Sequence, residues 1–536
     1  MLWEQLGPEE RTRLTTVHRQ RYYQLANFLH HQDSKNPHEA RAIARRELPN
    51  LLHAVDAAFA AQDPDAVDFS DSVTQFLNIF GLPREAERLI ALSQNAAGEE
   101  GSRAWLMAQS NRGEQLFDAG RAAEAAALFR RVLDRLGDTP SYQRATALGR
   151  LGRCFGATGQ PGQAAQYYRE GIALGAELEP GDNVKRLIGL LHTDLAGVLA
   201  ATGQYAEARK EYEVGLGIAE NGKDLRQQGV ILGQLGTLAM REGKLGEALE
   251  GYRAALALFK QLGEPAMEAV AWHQLGRVFQ TAGRWEESEP YYREAARLRE
   301  ENGLIGGRNG AANTWNCLAI VSQQAGKPGA AEHWHRKAID AARTLGDPLG
   351  LSRGLHNLAD LLQHQTARLA EARELAEESL AIDKTLDPDA AQIWTTYIIL
   401  ADIAEKEAAS TSDSRRQAAL KLEARQHRRL AREHQRNFAG TRHALQRRRP
   451  LIVATLMAAQ DPAKKALVEE ALAVYSHASW NALCAAIRRI VAGERDEDSL
   501  QVGQFGDSPM IIVAILAALA DPSALEGLVP PDGQGN

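Results

Sequence analysis

His333-Trp334-His335 is the first constellation in this chain that could hold a metal ion. A zinc site needs imidazole, thiolate or carboxylate groups converging on one point. Two side chains two positions apart on a helix face different directions, so this pair does not converge. His335 is read instead as a packed core histidine. His356 and His364 are eight apart without an accompanying set of acids and are read as polar surface groups. The glycine-rich run Gly303 to Gly310 could mimic a phosphate cradle, but no strand precedes it. No GxSxG, HExxH, CxxC or GxxxxGK[ST] pattern occurs anywhere. The expectation is a chain that is not an enzyme and has no cofactor or metal.

One stretch has the chemistry of an anion-binding surface. Between Arg415 and Arg449 lie twelve Lys or Arg against two acids, Glu423 and Glu433. Arg428, Arg429, Arg432, Arg436 and the run Arg447 to Arg449 could follow a phosphate backbone. Few aromatics interleave them, so base stacking is not expected. The competing reading is a solvated helix facing acids elsewhere in an acidic protein. Nucleic acid is thus the alternative partner.

The elements that position these groups are helices. Of 536 residues, 44% are hydrophobic and only 6% aromatic, which favours helices joined by small contacts over a β-branched sheet. A formal charge of −7 gives no global pull toward nucleic acid or membrane. Cys154, Cys317 and Cys484 are too scattered for a disulfide framework, which suits a reducing compartment. The start, MLWEQLGPEERTRL, lacks the apolar run of a signal peptide, and the apolar run from Pro509 to Ala520 is too short to span a membrane. A cytoplasmic location and no membrane contact are expected.

Self-similarity dominates the rest. From Leu151, a small residue (Gly152), a glycine (Gly159), Ala164, Tyr168 and Gly171 follow at fixed steps. The skeleton returns as Gly236, Gly243, Ala248, Tyr252, Ala255 and as Gly276, Gly283, Ser288, Tyr292, Ala295. Weaker copies run through Gly113, Gly120, Ala125, Phe129; Ala196, Gly203, Ala208, Tyr212; and Ala319, Gly326, Ala331, His335. Another, at Ala359, Ala372 and Ala376, lacks the turn glycine, and a degenerate one at Thr74, Gly81 and Ala86 precedes them all. The small residue lets a second helix approach, and the glycine ends the first helix at positive φ. Steps of four and three then place alanine, aromatic and small residue on one face. Gly263-Glu264-Pro265 and Gly346-Asp347-Pro348 close one unit and open the next.

These landmarks, with Trp272 and Trp315 four residues before the small position, resemble the tetratricopeptide repeat family. The period of 39–44 residues looks like the kinesin-light-chain and bacterial-regulator subtypes. The resemblance implies an all-α, right-handed solenoid of helix hairpins over residues 67–440. It would be flanked by a helical lead-in (1–66) and a helical cap (441–536) with a disordered tail. RELPNLLHAVDAAFAAQD, behind a helix carrying Tyr22, Tyr23 and Leu25, resembles the lead-in to such arms in bacterial STAND proteins, signalling ATPases with NB-ARC or NACHT modules. NFAGTRHALQRRRPLIVATL and WNALCAAIRRIVAGERDEDSL look like their closing segments, and the helix from Pro509 is expected to be buried against the preceding repeats.

In the family, the first helix of each pair lines a concave groove, mainly three before, one after and four after the small position. Carried onto this chain, the rule gives Gly149, Arg153, Gly156, Gly197, Ala200 and Gly233 early, a small, open surface. Later it gives His273, Arg277, Gln280, Asn316, Gln323, His356, Asp360 and Gln363, with Asn357 beside them. Amides that both donate and accept suit the backbone of an extended peptide. The expected partner is a protein or peptide segment, with an effector or ATPase on another chain.

Overall fold

The computed structural model describes residues 6–33, 36–80, 82–303, 310–387, 391–437, 445, 448–473, 481–500 and 508–521. Among them there is no strand. They fall into two compact units, Met1–Leu304 and Ile305–Asn536.

The first unit opens with the hairpin α1 (Pro8–Asp33) and α2 (Pro37–Ala60). Hairpins then follow as α3 (Ala66–Ile79) with α4 (Pro83–Asn95), and α5 (Arg103–Asp118) with α6 (Ala122–Leu136). Next come α7 (Tyr142–Ala157) with α8 (Pro161–Ala176), and α9 (Asp182–Ala201) with α10 (Tyr205–Asn221). The unit ends with α11 (Leu225–Arg241), α12 (Leu245–Leu262), α13 (Pro265–Thr281) and α14 (Trp285–Glu301). Each helix packs on its sequence neighbours, the arrangement that repeats of this length require to bury their apolar stripes.

Local chemistry sets the boundaries. Gly120, Gly159, Gly203, Gly243 and Gly283, all between the two helices of a pair, have φ between 71° and 84°, a region that costs other residues energy. Ser102, Ser141 and Asp224 cap α5, α7 and α11 by accepting from the backbone N–H three residues on. Proline opens α4, α8 and α13, where a missing N–H is harmless. Pro140 stands just ahead of α7 rather than inside it.

The lead-in hairpin is tied at both ends. Tyr23 donates to Asp68 of α3 at 2.6 Å, and Phe69, Val73 and Leu77 bury against Leu51, Ala54 and Val55. On its other side, Arg41 Nη2 reaches to 3.4 Å from Glu264, the buried carboxylate between α12 and α13, which also accepts from Arg226 at 2.9 Å. Nothing in the repeat spacing announces that long-range contact.

The second unit continues the hairpins with α15 (Ala311–Gln324), α16 (Pro328–Leu345), α17 (Pro348–Leu362) and α18 (Leu369–Asp383). The repeat without a turn glycine bridges α17 and α18 by a short 3-10 turn, Thr366–Arg368. Then come α19 (Ile393–Ser410) and the long α20 (Ser414–Asn437), joined along an alanine seam of Ala401, Ala404, Ala408 and Ala424. A separate apolar cluster holds α21 (Arg449–Gln460), α22 (Lys465–Ala473), α23 (Asn481–Val491), α24 (Glu497–Leu500) and α25 (Ser508–Ala520). The helix from Pro509 is buried, as its apolarity requires. Its partners correct the expectation: Ile511, Ile512 and Ile515 pack among Leu451, Ile487 and Ile490 of this cluster, not on repeats. The tail beyond Asp521 and residues 304–309 of the glycine-rich run lie outside the described residues. None of the described helices is long and apolar enough to cross a membrane.

Candidate functional site

Within each unit first helices of neighbouring pairs come into contact, and one feature repeats along them in the first unit. The aromatic sixteen residues after each small position passes beneath the first helix. A Cβ at Gly152 would sit 2.6 Å from the Tyr168 ring, one at Gly236 would sit 3.1 Å from Tyr252, and one at Gly276 would sit 3.0 Å from Tyr292. The missing side chain lets the ring through and brings its hydroxyl up to the next turn of the first helix. Tyr252 Oη lies 3.0 Å from Thr237 Oγ1, and Tyr292 Oη donates to Gln280. Tyr212 Oη lies 3.7 Å from where a Cβ of Gly197 would be. Thr237, Gln280 and Gly197 all occupy groove positions by the repeat rule. These tyrosines are buried, as their place in the repeat skeleton requires, and the Tyr252 and Tyr292 hydroxyls reach groove-register residues because the small residue above each ring is glycine.

Charge gathers on the same helices. Glu114 of α5 accepts from Arg150 at 2.8 Å and from Arg153 at 3.1 Å, both on α7, while Arg153 also covers the Phe117 ring at 4.5 Å. Asp194 of α9 has no hydrogen bond or ion pair among the described residues, and burial pushes its pKa up to about 6 against the pull of Arg153. Burial likewise raises Asp71 of α3, opposed by a hydrogen bond from Asn111.

Of the expected groove residues, Arg153, His273, Arg277 and Gln280 belong to the first unit. Arg277 is exposed and donates to Gln274 at 2.8 Å. His273 is buried, at 7% exposure, against Tyr292 and Arg299, and its pKa falls to about 3 through burial and the two nearby arginines, Arg299 and Arg277.

Asn316, Gln323, His356, Asn357, Asp360 and Gln363 belong to the second unit. His356 of α17 is half-buried. This corrects its reading as a polar surface group: burial lowers its pKa, while Asp383 and Asp360 oppose that shift. His335 is fully buried at the aromatic position, as read, and neither ring nitrogen has a hydrogen-bond partner; its pKa drops to about 4 through burial and the neighbouring His356. Asn316 Oδ1, Ser322 Oγ and His356 Nδ1 are also buried without a partner. Asn316 and Gln363 are 8% and 3% exposed, so they present little side chain outward. Gln363 instead donates to Asp360 at 2.7 Å and accepts from Lys406 at 3.0 Å. His364 is exposed.

Beneath α17 a polar knot replaces the missing aromatic, for Ala376 stands in that slot. Buried Asp383 accepts from Ser352 and, at 2.9 Å, from Thr396, while Ser379 joins the two hydroxyls. No group of three or more His, Cys, Asp or Glu able to hold a metal occurs among the described residues. On the basic stretch, Arg428 is committed to Asp402 at 3.0 Å and Glu405 at 2.9 Å. Arg429 and Arg432 are exposed, and the Arg436 side chain lies outside the described residues.

Residues 106–176, 227–301 and 310–385 match the family model for the tetratricopeptide repeat. No curated protein matches the sequence. Among solved structures, the chain is similar to a Signal Transduction ATPase with Numerous Domains (STAND) protein with a tetratricopeptide repeat sensor from Pyrococcus horikoshii. The identity is 14% over 68% of this chain and 53% of that one, at a TM-score of 0.51, so the match spans about half of that protein. A Rap protein complexed with competence and sporulation factor aligns at 17% identity over 67% of this chain and all of that one, TM-score 0.40. BtubC from P. vanneervenii aligns at 19% over 44% and 92%, TM-score 0.36.

Proposed function

From a chain that carries tetratricopeptide repeats in an all-α solenoid fold, we propose that it is a non-enzymatic binding arm. It captures a protein or peptide segment along the first helices and passes that event to an effector or ATPase on another chain. The observation that carries this reading is the recurrence of polar groups at groove positions of the first helices. In the first unit these are Thr237 and Gln280, each meeting a tyrosine hydroxyl, and in the second they are His356 and the neighbouring Asn357. Recurring polar groups of this kind match the N–H and C=O groups of an extended backbone, whereas catalysis needs a few groups converging at one point. The STAND sensor arm shares the fold, and a signalling role of that kind in a bacterial cytoplasm is the finer form of the proposal.

The test is selection from a displayed library of twelve-residue peptides on the full chain, in parallel with an Arg277→Glu/Asn316→Ala/Asn357→Ala variant. The expected result is a set of enriched peptides whose affinity falls about tenfold or more in the variant. Peptides that bind both proteins equally would remove the groove assignment.

A further inference from the structure

Many arginines on the repeats are held by acids of the same helix or of one nearby. Arg336 and Arg368 share Glu332 and Glu371, Arg343 meets Glu378, and Arg297 meets Glu294 and Glu301. On α20 the same pairing occurs along the edge facing its neighbours. There Glu423 accepts from Arg373 at 2.6 Å, and Arg428 is held by Asp402 and Glu405 of α19. Leu420, Ala424 and Ala431 are buried inward.

Round the helix from that edge, Lys421, Arg425 and Arg429 are exposed and have no hydrogen bond or ion pair among the described residues. Arg432 is exposed on the same line. Steps of four, four and three at roughly 100° per residue keep these four within an arc of about 80°. They span about 16 Å at roughly 1.5 Å per residue, one cation per helical turn. Glu433, the helix's other acid, lies about 120° round from Lys421 and outside the row.

We propose that this row, Lys421–Arg425–Arg429–Arg432, docks the phosphate backbone of a nucleic acid without reading its bases. A linear file of cations one turn apart can follow a polymer that carries a charge every few ångströms. Three of the four are arginines, whose planar fork pairs with phosphate through two hydrogen bonds and is less strongly hydrated than ammonium. No Phe, Tyr or Trp lies on α20, so stacking is absent and contact is indifferent to sequence. A lipid surface is disfavoured because an interfacial helix needs a broad apolar face beside its cations, and Leu422 is the one large apolar residue of α20 that is exposed. The chain's net charge of −7 makes the attraction local to this face, with no general affinity for polyanions. The site is separate from the peptide-binding surface and stands or falls independently of it.

The experiment measures binding of the full chain to a labelled 20-base-pair DNA duplex, the same duplex as RNA, and each single strand, from 20 to 200 mM KCl. Polyglutamate and vesicles with one third phosphatidylserine serve as competitors. Binding to at least one nucleic acid is expected, with log K falling against log salt at a slope of about −3.6 for duplex DNA, roughly −0.9 for each of four cations. Lys421→Gln/Arg425→Gln weakens it about tenfold at 50 mM salt and makes the slope shallower by about 2; adding Arg429→Gln removes about one more unit. Arg415→Gln/Arg416→Gln removes the same charge from another side of α20 and leaves affinity within about twofold. All these positions are exposed, so the variants fold. Preference for DNA or for RNA identifies the polymer. The proposal is overturned if neither binds at 20 mM salt or if the control pair weakens binding as much. Stronger competition by polyglutamate or vesicles than by unlabelled duplex overturns it too, pointing to a protein or a membrane.

Discussion

The slot beneath the first helix is filled by Phe129, Tyr168, Tyr212, Tyr252 and Tyr292 in the first unit, and by His335 and Ala376 in the second. Where tyrosine fills it, the ring supplies apolar contact, and the Tyr252 and Tyr292 hydroxyls meet Thr237 and Gln280 of the first helix. Histidine is shorter, and both its nitrogens stop inside, without a partner. Where alanine fills it, space opens for Asp383 and three hydroxyl side chains that satisfy one another. One repeat skeleton thus yields three electrostatic outcomes. An aromatic with a polar tip is useful in a core only if the tip reaches a partner, because a buried polar atom left alone costs about 1–3 kcal/mol.

The strongest way to break this comparison is to give the second unit the first unit's residue. His335 titrates near 4 rather than 6.5, because burial disfavours its charged form. A histidine depressed in the folded state contributes its full stability above the unfolded value, and that stability is lost as pH falls from about 6.5 through about 4. The shift corresponds to roughly 3 kcal/mol across that window. His335→Tyr should therefore flatten the acid limb, with Tyr212 beneath Ala196 as the precedent for tyrosine under alanine. Hydrogen exchange in α16 and α17, measured for both proteins at pH 7.5 and 4.5, reads this locally. An equal loss of protection at pH 4.5 in wild type and variant would show that His335 is not the acid-sensitive group.

Asp194 makes the complementary case in the first unit, where a carboxylate rather than an imidazole lacks a partner. Its folded pKa of about 6 lies above the ordinary value of 3.8. Stability is therefore greatest below the unfolded value and falls as pH rises through about 6. Asp194→Asn should raise the unfolding free energy at pH 8 by roughly 2 kcal/mol and leave it unchanged at pH 3.5, in urea titrations of both proteins. If the gain is the same at both pH values, Asp194 is not destabilised by its charge. A ligand cation that pairs with Asp194 would cancel the gain, which makes this variant a sensor of occupancy as well.

Much of this architecture was legible because steric necessity writes it into residue type. A left-handed turn calls for glycine, and a ring passing under a helix calls for a small residue, so the repeats announce themselves as Gly159, Gly243 and Gly283 or as Gly152, Gly236 and Gly276. The candidate surface was less legible because exposure depends on residues far along the chain. His273 sits at a groove register yet is covered by Arg299, and Gln363 is drawn between Asp360 and Lys406. Arg428 looked free in the basic run until α19 brought Asp402 and Glu405 beside it. Neither the Arg41–Glu264 contact nor the partners of the last apolar helix follows from local periodicity, since each joins segments whose patterns are satisfied separately.

The smallest effect concerns the small residue itself, and its sign carries the information. In an exposed helix, replacing glycine by alanine gains about 1 kcal/mol from backbone propensity. At Gly152 the new methyl would meet three Tyr168 ring atoms within 3 Å, and overpacking of this kind costs about 1–3 kcal/mol. Gly152→Ala should therefore destabilise by about 1 kcal/mol net, against the helical preference. Ala319→Gly, at the same register over the histidine slot, should also destabilise by about 1 kcal/mol, for the opposite reason: the helix loses propensity and the shorter His335 ring does not need the space. Adding Tyr168→Leu separates the two causes in urea unfolding. With the ring removed, Gly152→Ala should turn from a loss into a gain, whereas a loss that persists would place the strain in the backbone rather than in the passage of the tyrosine.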